Sequence, residues 1–134
     1  MTYKYQDLLD QLDREGKLEF GNEQQVRLAM LKLCGLVEHL FDSQTKEIFK
    51  SAKSGYPIID KDIAELYNKL NEIGDYQNAN YNAIKVLISS IKKPLQENED
   101  NDLLFPLDYC IEFCLLADNN IIDKHIIDIL NEIK

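Results

Sequence analysis

Asn22-Glu23-Gln24-Gln25-Val26-Arg27-Leu28-Ala29-Met30-Leu31-Lys32-Leu33-Cys34-Gly35-Leu36-Val37-Glu38-His39-Leu40-Phe41 is the stretch that decides the fold. Val26, Met30, Leu33, Val37, Leu40 and Phe41 recur at steps of three, four and one, which places them on one face of a helix. Asn22 before Glu23-Gln24-Gln25 is the expected N-cap, with Gln25 at the reciprocal capping-box position. The spacing predicts one long helix over about 23–41.

The same periodicity extends in both directions. Upstream, Tyr5 to Leu12 fits a short helix, with Gly16 to Gly21 as a turn. Downstream, Ser43 is the expected cap of a helix carrying Ile48, Phe49 and Ala52, stopped by Ser54-Gly55-Tyr56-Pro57. Asp60 is the expected cap of a third stretch, with Ile63, Leu66, Tyr67, Leu70 and Ile73 inward and Gly74 at its end. Ala83, Ile84, Leu87, Ile88 and Ile91 form a fourth, ended by Pro94.

Residues 95–102 have no inward-facing series and are expected to be an acidic linker. Two closely spaced helices follow, at about 104–117 and 120–133, broken at Asp118-Asn119-Asn120. The last has Ile122, Ile126, Ile129, Leu130 and Ile133 on one face and Lys124, Asp128, Asn131 and Glu132 opposite. No segment alternates as a half-buried strand would, and no strict repeat is visible. The expectation is an all-α single domain over 1–134, an antiparallel helical bundle or short helical-repeat stack of five to six helices.

With 134 residues, 45% of them apolar, the chain can bury a core of its own. No window reaches the roughly 18 consecutive apolar residues of a membrane span. The opening Met1-Thr2-Tyr3-Lys4-Tyr5-Gln6-Asp7 has polar residues where a signal peptide needs an apolar run, so the cytoplasm is the expected compartment. Three cysteines leave an odd thiol and argue against a disulfide scaffold.

The net charge of −9 disfavours attachment to phosphate backbones and to anionic membranes, so neither nucleic acid nor membrane is expected as a partner. The charge is also unevenly placed. Residues 1–94 hold fourteen acids and thirteen bases, whereas residues 95–134 hold ten acids and only Lys124 and Lys134. Such acids either solubilise an exposed face or form a docking surface for a basic partner. In the helix at 104–117, Asp108 and Glu112 are the only ionisable positions apart from thiols and a phenol, and lie within about 40° of each other. The rest of its circumference is apolar, so this helix is either central or borders a sticky patch. Tyr109 and Leu116 fall beside the acidic stripe. A tyrosine on such a helix is expected in the core, the alternative being an interface anchor.

No motif supports catalysis, and no cofactor or metal is expected. Cys110 and Cys114 share a helix face, but two thiols fall short of the four ligands of a structural zinc site. Neither His39 nor His125 has a ligand-like context, and Glu38-His39 is not part of an H-E-x-x-H. Cys34 lies within an apolar helix without a basic neighbour to lower its pKa. With five glycines the chain lacks both phosphate-cradling signatures, and the acidic linker lacks the turn glycine of a calcium loop.

Glu97, Glu99, Asp100, Asp102, Asp108 and Glu112 thus form an anionic run in a small, acidic, helical chain whose bases are nearly all lysine, a bias typical of low-GC bacterial coding sequences. In size, charge and class it resembles the immunity proteins that neutralise bacterial toxins, those of contact-dependent growth inhibition systems in particular. The resemblance implies a non-enzymatic inhibitor in a one-to-one complex with a cognate toxin, often a basic nuclease. The expected partner-binding residues are Glu97, Glu99, Asp100, Asp102, Asp108, Tyr109, Glu112 and Asp128. A helical adaptor that binds through apolar contacts is the alternative, and a small enzyme the third reading.

Overall fold

The computed structural model describes residues 4–55, 59–92 and 103–134. Among them are seven α-helices and no strand: α1 (Lys4–Arg14), α2 (Glu23–Gly35), α3 (Ser43–Lys53), α4 (Asp60–Ile73), α5 (Ala79–Ile91), α6 (Leu104–Ala117) and α7 (Asp123–Leu130). The all-α expectation holds, with one or two more helices than anticipated. The linker at 95–102 and Pro94 lie outside the described residues.

The expected long helix ends early, at Gly35. Glycine favours leaving the α conformation, and the Leu36 and Val37 N–H groups bond the Leu33 and Cys34 carbonyls three residues back, at 3.0 and 3.1 Å. A 3-10 turn over Glu38–Leu40 follows. Val37 and Phe41 are buried all the same, Phe41 from extended backbone just after the turn.

Three caps also differ from expectation. Asn22 occupies the N-cap of α2 without making a cap bond. Its amide instead donates to the carbonyls of Lys17 at 2.7 Å and Lys134 at 3.2 Å, fastening the α1–α2 turn to residue 134. Asp42, not Ser43, caps α3: it is extended, and its carboxylate accepts the Thr45 N–H at 2.8 Å. Ile59 holds the N-cap position of α4, leaving Asp60 and Asp62 in the first turn, where the helix dipole favours them. Gly74 ends α4 as expected, in the left-handed conformation at φ 63° with its N–H on the Leu70 carbonyl at 2.9 Å. The last helix is shorter than expected, and Ile122 before it is extended and exposed.

Helix α5 is the centre of the molecule and packs against α2, α3, α4 and α6. Nine of its residues are buried, including Asn82 and Ser90. Both polar side chains are satisfied, Asn82 by the Tyr76 and Asn78 carbonyls at 2.9 and 3.1 Å and Ser90 by the Val86 carbonyl at 2.8 Å. The end of α5 is held from outside. Arg27 of α2 donates to the carbonyls of Ser90 at 2.9 Å and Lys92 at 2.8 Å while its Nε bonds Glu23 at 3.0 Å. That planar fork satisfies carbonyls that a helix end leaves orphaned. Helices α1 and α7 pack on each other, and buried residues of all seven helices form one cluster.

Candidate protein-binding face

Helix α6 starts at Leu104, and Pro106 fits its first turn because that turn's N–H groups have no partner within the helix. Its inner face consists of Leu107, Cys110, Ile111, Cys114 and Ala117, all buried against α5 and α2. The outer face is not polar as a surface helix ordinarily requires. Phe105, Tyr109 and Leu116 are 47%, 56% and 63% exposed. At 100° per residue these three and Glu112 fall within about 60° of one another, a stripe that follows the helix. Tyr109 is therefore not the core residue expected: the core side of α6 is filled by small thiols and aliphatics, and the phenol projects outward.

Glu112 lies within this stripe and Asp108 flanks it on the same side. Burial pushes the Asp108 carboxyl above the usual carboxylate range, and the nearby Asp10 carboxylate of α1 pushes it further. Glu112 is raised in the same way, by burial first and by Asp108 second. Neither takes part in an ion pair or hydrogen bond among the described residues, and α6 has no lysine or arginine. On the other flank, Lys85 of α5 sits over the Phe113 ring, 5.4 Å from its centroid.

Three other acids of the C-terminal surplus have roles within the fold. Asp123 caps α1, its two oxygens accepting the N–H groups of Lys4 at 2.8 Å and Tyr5 at 3.1 Å. Asp118 pairs with His39 at 3.2 Å, and Glu132 pairs with Lys32. Asp128 is exposed on α7, which packs on α1 and α2, and shares no interaction with the α6 acids. Glu97, Glu99, Asp100 and Asp102 lie outside the described residues. Of the expected site residues, the structure thus brings together Asp108, Tyr109 and Glu112. It adds Phe105 and Leu116 from the same helix and Asp10 from α1. Phe105 could have been found, since it lies one turn before Tyr109. Asp10 left no signal in local spacing.

The three thiols lie in the core between α2, α5 and α6. Cys114 approaches the Leu33 carbonyl at 3.5 Å, and burial, followed by Asp118, pushes it up to about 12. Burial also raises Cys34 and Cys110. All three are therefore protonated at neutral pH and pack as small hydrophobes. Among the described residues, no group of three or more His, Cys, Asp or Glu could hold a metal ion, and no helix is long and apolar enough to cross a membrane. No family model matches the chain, and comparison with curated proteins and with solved structures yields no match either.

Proposed function

We propose that this chain is a protein-binding inhibitor of the immunity type, which captures a cationic protein toxin through the outer face of α6. The observation that carries this reading is the exposure of Phe105, Tyr109 and Leu116 beside two carboxylates that have no partner among the described residues, on a helix without a lysine or arginine. Large apolar side chains left in water gain roughly 25 cal/mol for each Å² that a partner covers. Aromatic anchors at the centre of such a patch are the residues that slow release.

The carboxylates supply the selectivity. Asp10 adds to the negative potential at Asp108, and Asp108 to that at Glu112, so an incoming lysine or arginine relieves a repulsion already present. Asp108 has also lost part of its hydration in the free protein, which lowers the desolvation cost of docking. A basic nuclease offers this chemistry, because the groove that holds its polyanionic substrate is lined with cations. Carboxylates seated there exclude nucleic acid, and charge steering brings on-rates up to ~10⁸–10⁹ M⁻¹s⁻¹ at low salt. The cytoplasm is the compartment where such an inhibitor would act.

Co-expression with the product of the gene immediately upstream tests the reading. Protection of the host cell, lost in the Asp108→Lys, Glu112→Lys double variant while the fold persists, is the expected outcome. A neighbour without a toxin-like C-terminal domain, or protection untouched by both reversals, counts against it. The adaptor reading uses the same exposed side chains, and the apolar character of the stripe favours it. It predicts an affinity almost independent of ionic strength, whereas the inhibitor reading predicts association that slows steeply with added salt.

A further inference from the structure

Phe105, Tyr109, Glu112 and Leu116 follow one another at steps of four, three and four. That is the spacing of the a and d positions in a coiled coil, where each side chain enters a hole between four side chains of a facing helix. From Phe105 to Leu116 the seam runs for about 16 Å, or three helical turns. It has one unusual member, because the third position is an acid with apolar neighbours along the stripe.

We infer that the outer face of α6 seats a single amphipathic helix of a cationic partner, with an arginine or lysine of that helix set against Glu112 and apolar residues one turn to either side. This rests on the protein-binding reading above and specifies the partner element that the face takes. Charge complementarity selects the occupant. A second copy of this chain would bring Asp108 and Glu112 towards their own duplicates, with no lysine or arginine on either α6 to offset them and with Lys85 of α5 already seated over the Phe113 ring on the opposite flank. The chain's own run from Glu97 to Asp102 has the same sign and no base. An uncharged apolar helix would bury Glu112 without a partner, and an unpaired buried carboxylate is strongly unfavourable. A cationic helix alone satisfies both the apolar positions and the acid between them. Asp108, beside Glu112 on the edge of the seam away from Tyr109, then selects for a second base on that side, where Asp10 already concentrates negative potential.

The test uses the whole protein and two synthetic helical peptides of about 20 residues. Both present leucines to Phe105, Tyr109 and Leu116; one places arginine opposite Glu112 and the other places glutamate there. Titration calorimetry is expected to show that the arginine peptide binds at least about tenfold more tightly than its twin. The Glu112→Arg variant should reverse that preference, and Leu116→Ala should weaken both peptides by about tenfold, with circular dichroism confirming an unchanged fold. Equal binding of the two peptides, binding of neither, or no reversal in Glu112→Arg overturns the inference. So does a dimer in sedimentation that Leu116→Glu dissociates, since the face then belongs to a second copy. The two readings can fail separately. Neutralisation of the upstream toxin that persists in Tyr109→Ala and Leu116→Ala removes the seam but keeps the inhibitor. A charge-selective seam with no toxin neutralised removes the inhibitor and keeps the seam.

Discussion

Helices α5 and α6 are both poor in charge: α5 has only Lys85 and α6 only Asp108 and Glu112. They lie side by side, yet they use their apolar surface differently. Helix α5 is wrapped by four neighbours and buries nine residues. Helix α6 buries five and leaves Phe105, Tyr109 and Leu116 in water. Apolar content therefore does not determine which helix is central. What decides is how many other helices cover it, and an apolar helix with one open side carries more hydrophobic surface than the fold uses. The surplus on α6 is the part of this molecule that a partner can complete.

The strongest way to break that comparison is to truncate one leucine in each helix. Leu87→Ala, at a position with no exposure, should cost about 2–5 kcal/mol in urea unfolding. Leu116→Ala should stay within about 0.5 kcal/mol. Equal costs would mean that the α6 stripe is not open to solvent. Next in size is the tie that holds the end of α5. Arg27→Met removes the donors to the Ser90 and Lys92 carbonyls and should cost about 2 kcal/mol, with Arg27→Lys recovering only part because an ammonium cannot reproduce the fork.

Two carboxylates sharpen the comparison through pH, with opposite signs. Asp42 is mostly exposed, and although burial tends to raise it, bonds from Lys69 and the Thr45 N–H hold it down to about 2. Its folded pKa is depressed, so its contribution is present above the unfolded value of about 3.9 and is lost as pH falls through 2. After allowance for screening, Asp42→Ala should cost about 1 kcal/mol at pH 7 and progressively less in acid. Asp108 is raised, by burial and then by Asp10, so its ionised form is a penalty that appears as pH rises above the unfolded value. Asp108→Asn should gain about 0.5 kcal/mol at pH 7 and nothing below about pH 4, which paired melts at the two pH values would reveal. The satisfied acid stabilises the fold, while the acid on the outer side of α6 costs stability when ionised.

The C-terminal end of α6 was legible because the apolar run from Phe113 to Ala117 meets Asp118-Asn119-Asn120, whose polar side chains favour turning over continuing. The end of α2 was not legible, since Val37, Leu40 and Phe41 continue the helical spacing in sequence while the backbone leaves the α conformation after Gly35. Caps were legible to within one residue at Asp42, because Asp42 and Ser43 are both competent and only backbone geometry chooses between them. Tyr109 was misread for the reason the two helices illustrate. Periodicity orders residues around a helix but does not say which side meets a neighbour. Asp10 joins Asp108 across most of the chain's length, a proximity that only tertiary packing creates. The concentration of acids after residue 95 was correctly counted but too simply interpreted, because Asp118, Asp123 and Glu132 are occupied inside the fold.

The cap that Asp123 places on α1 has a consequence for the order of events during synthesis. The first turn of α1 receives this acceptor from a residue made more than a hundred positions later. A nascent chain thus carries α1 without its clasp until α7 has emerged from the ribosome. Asp10 rides on that helix, so its place beside Asp108 is secured only after Asp123 has joined α1. The acidic corner of Asp10 and Asp108 therefore depends on a closure between residues far apart in sequence, and a chain that lacks the Asp123 carboxylate would hold that corner less firmly.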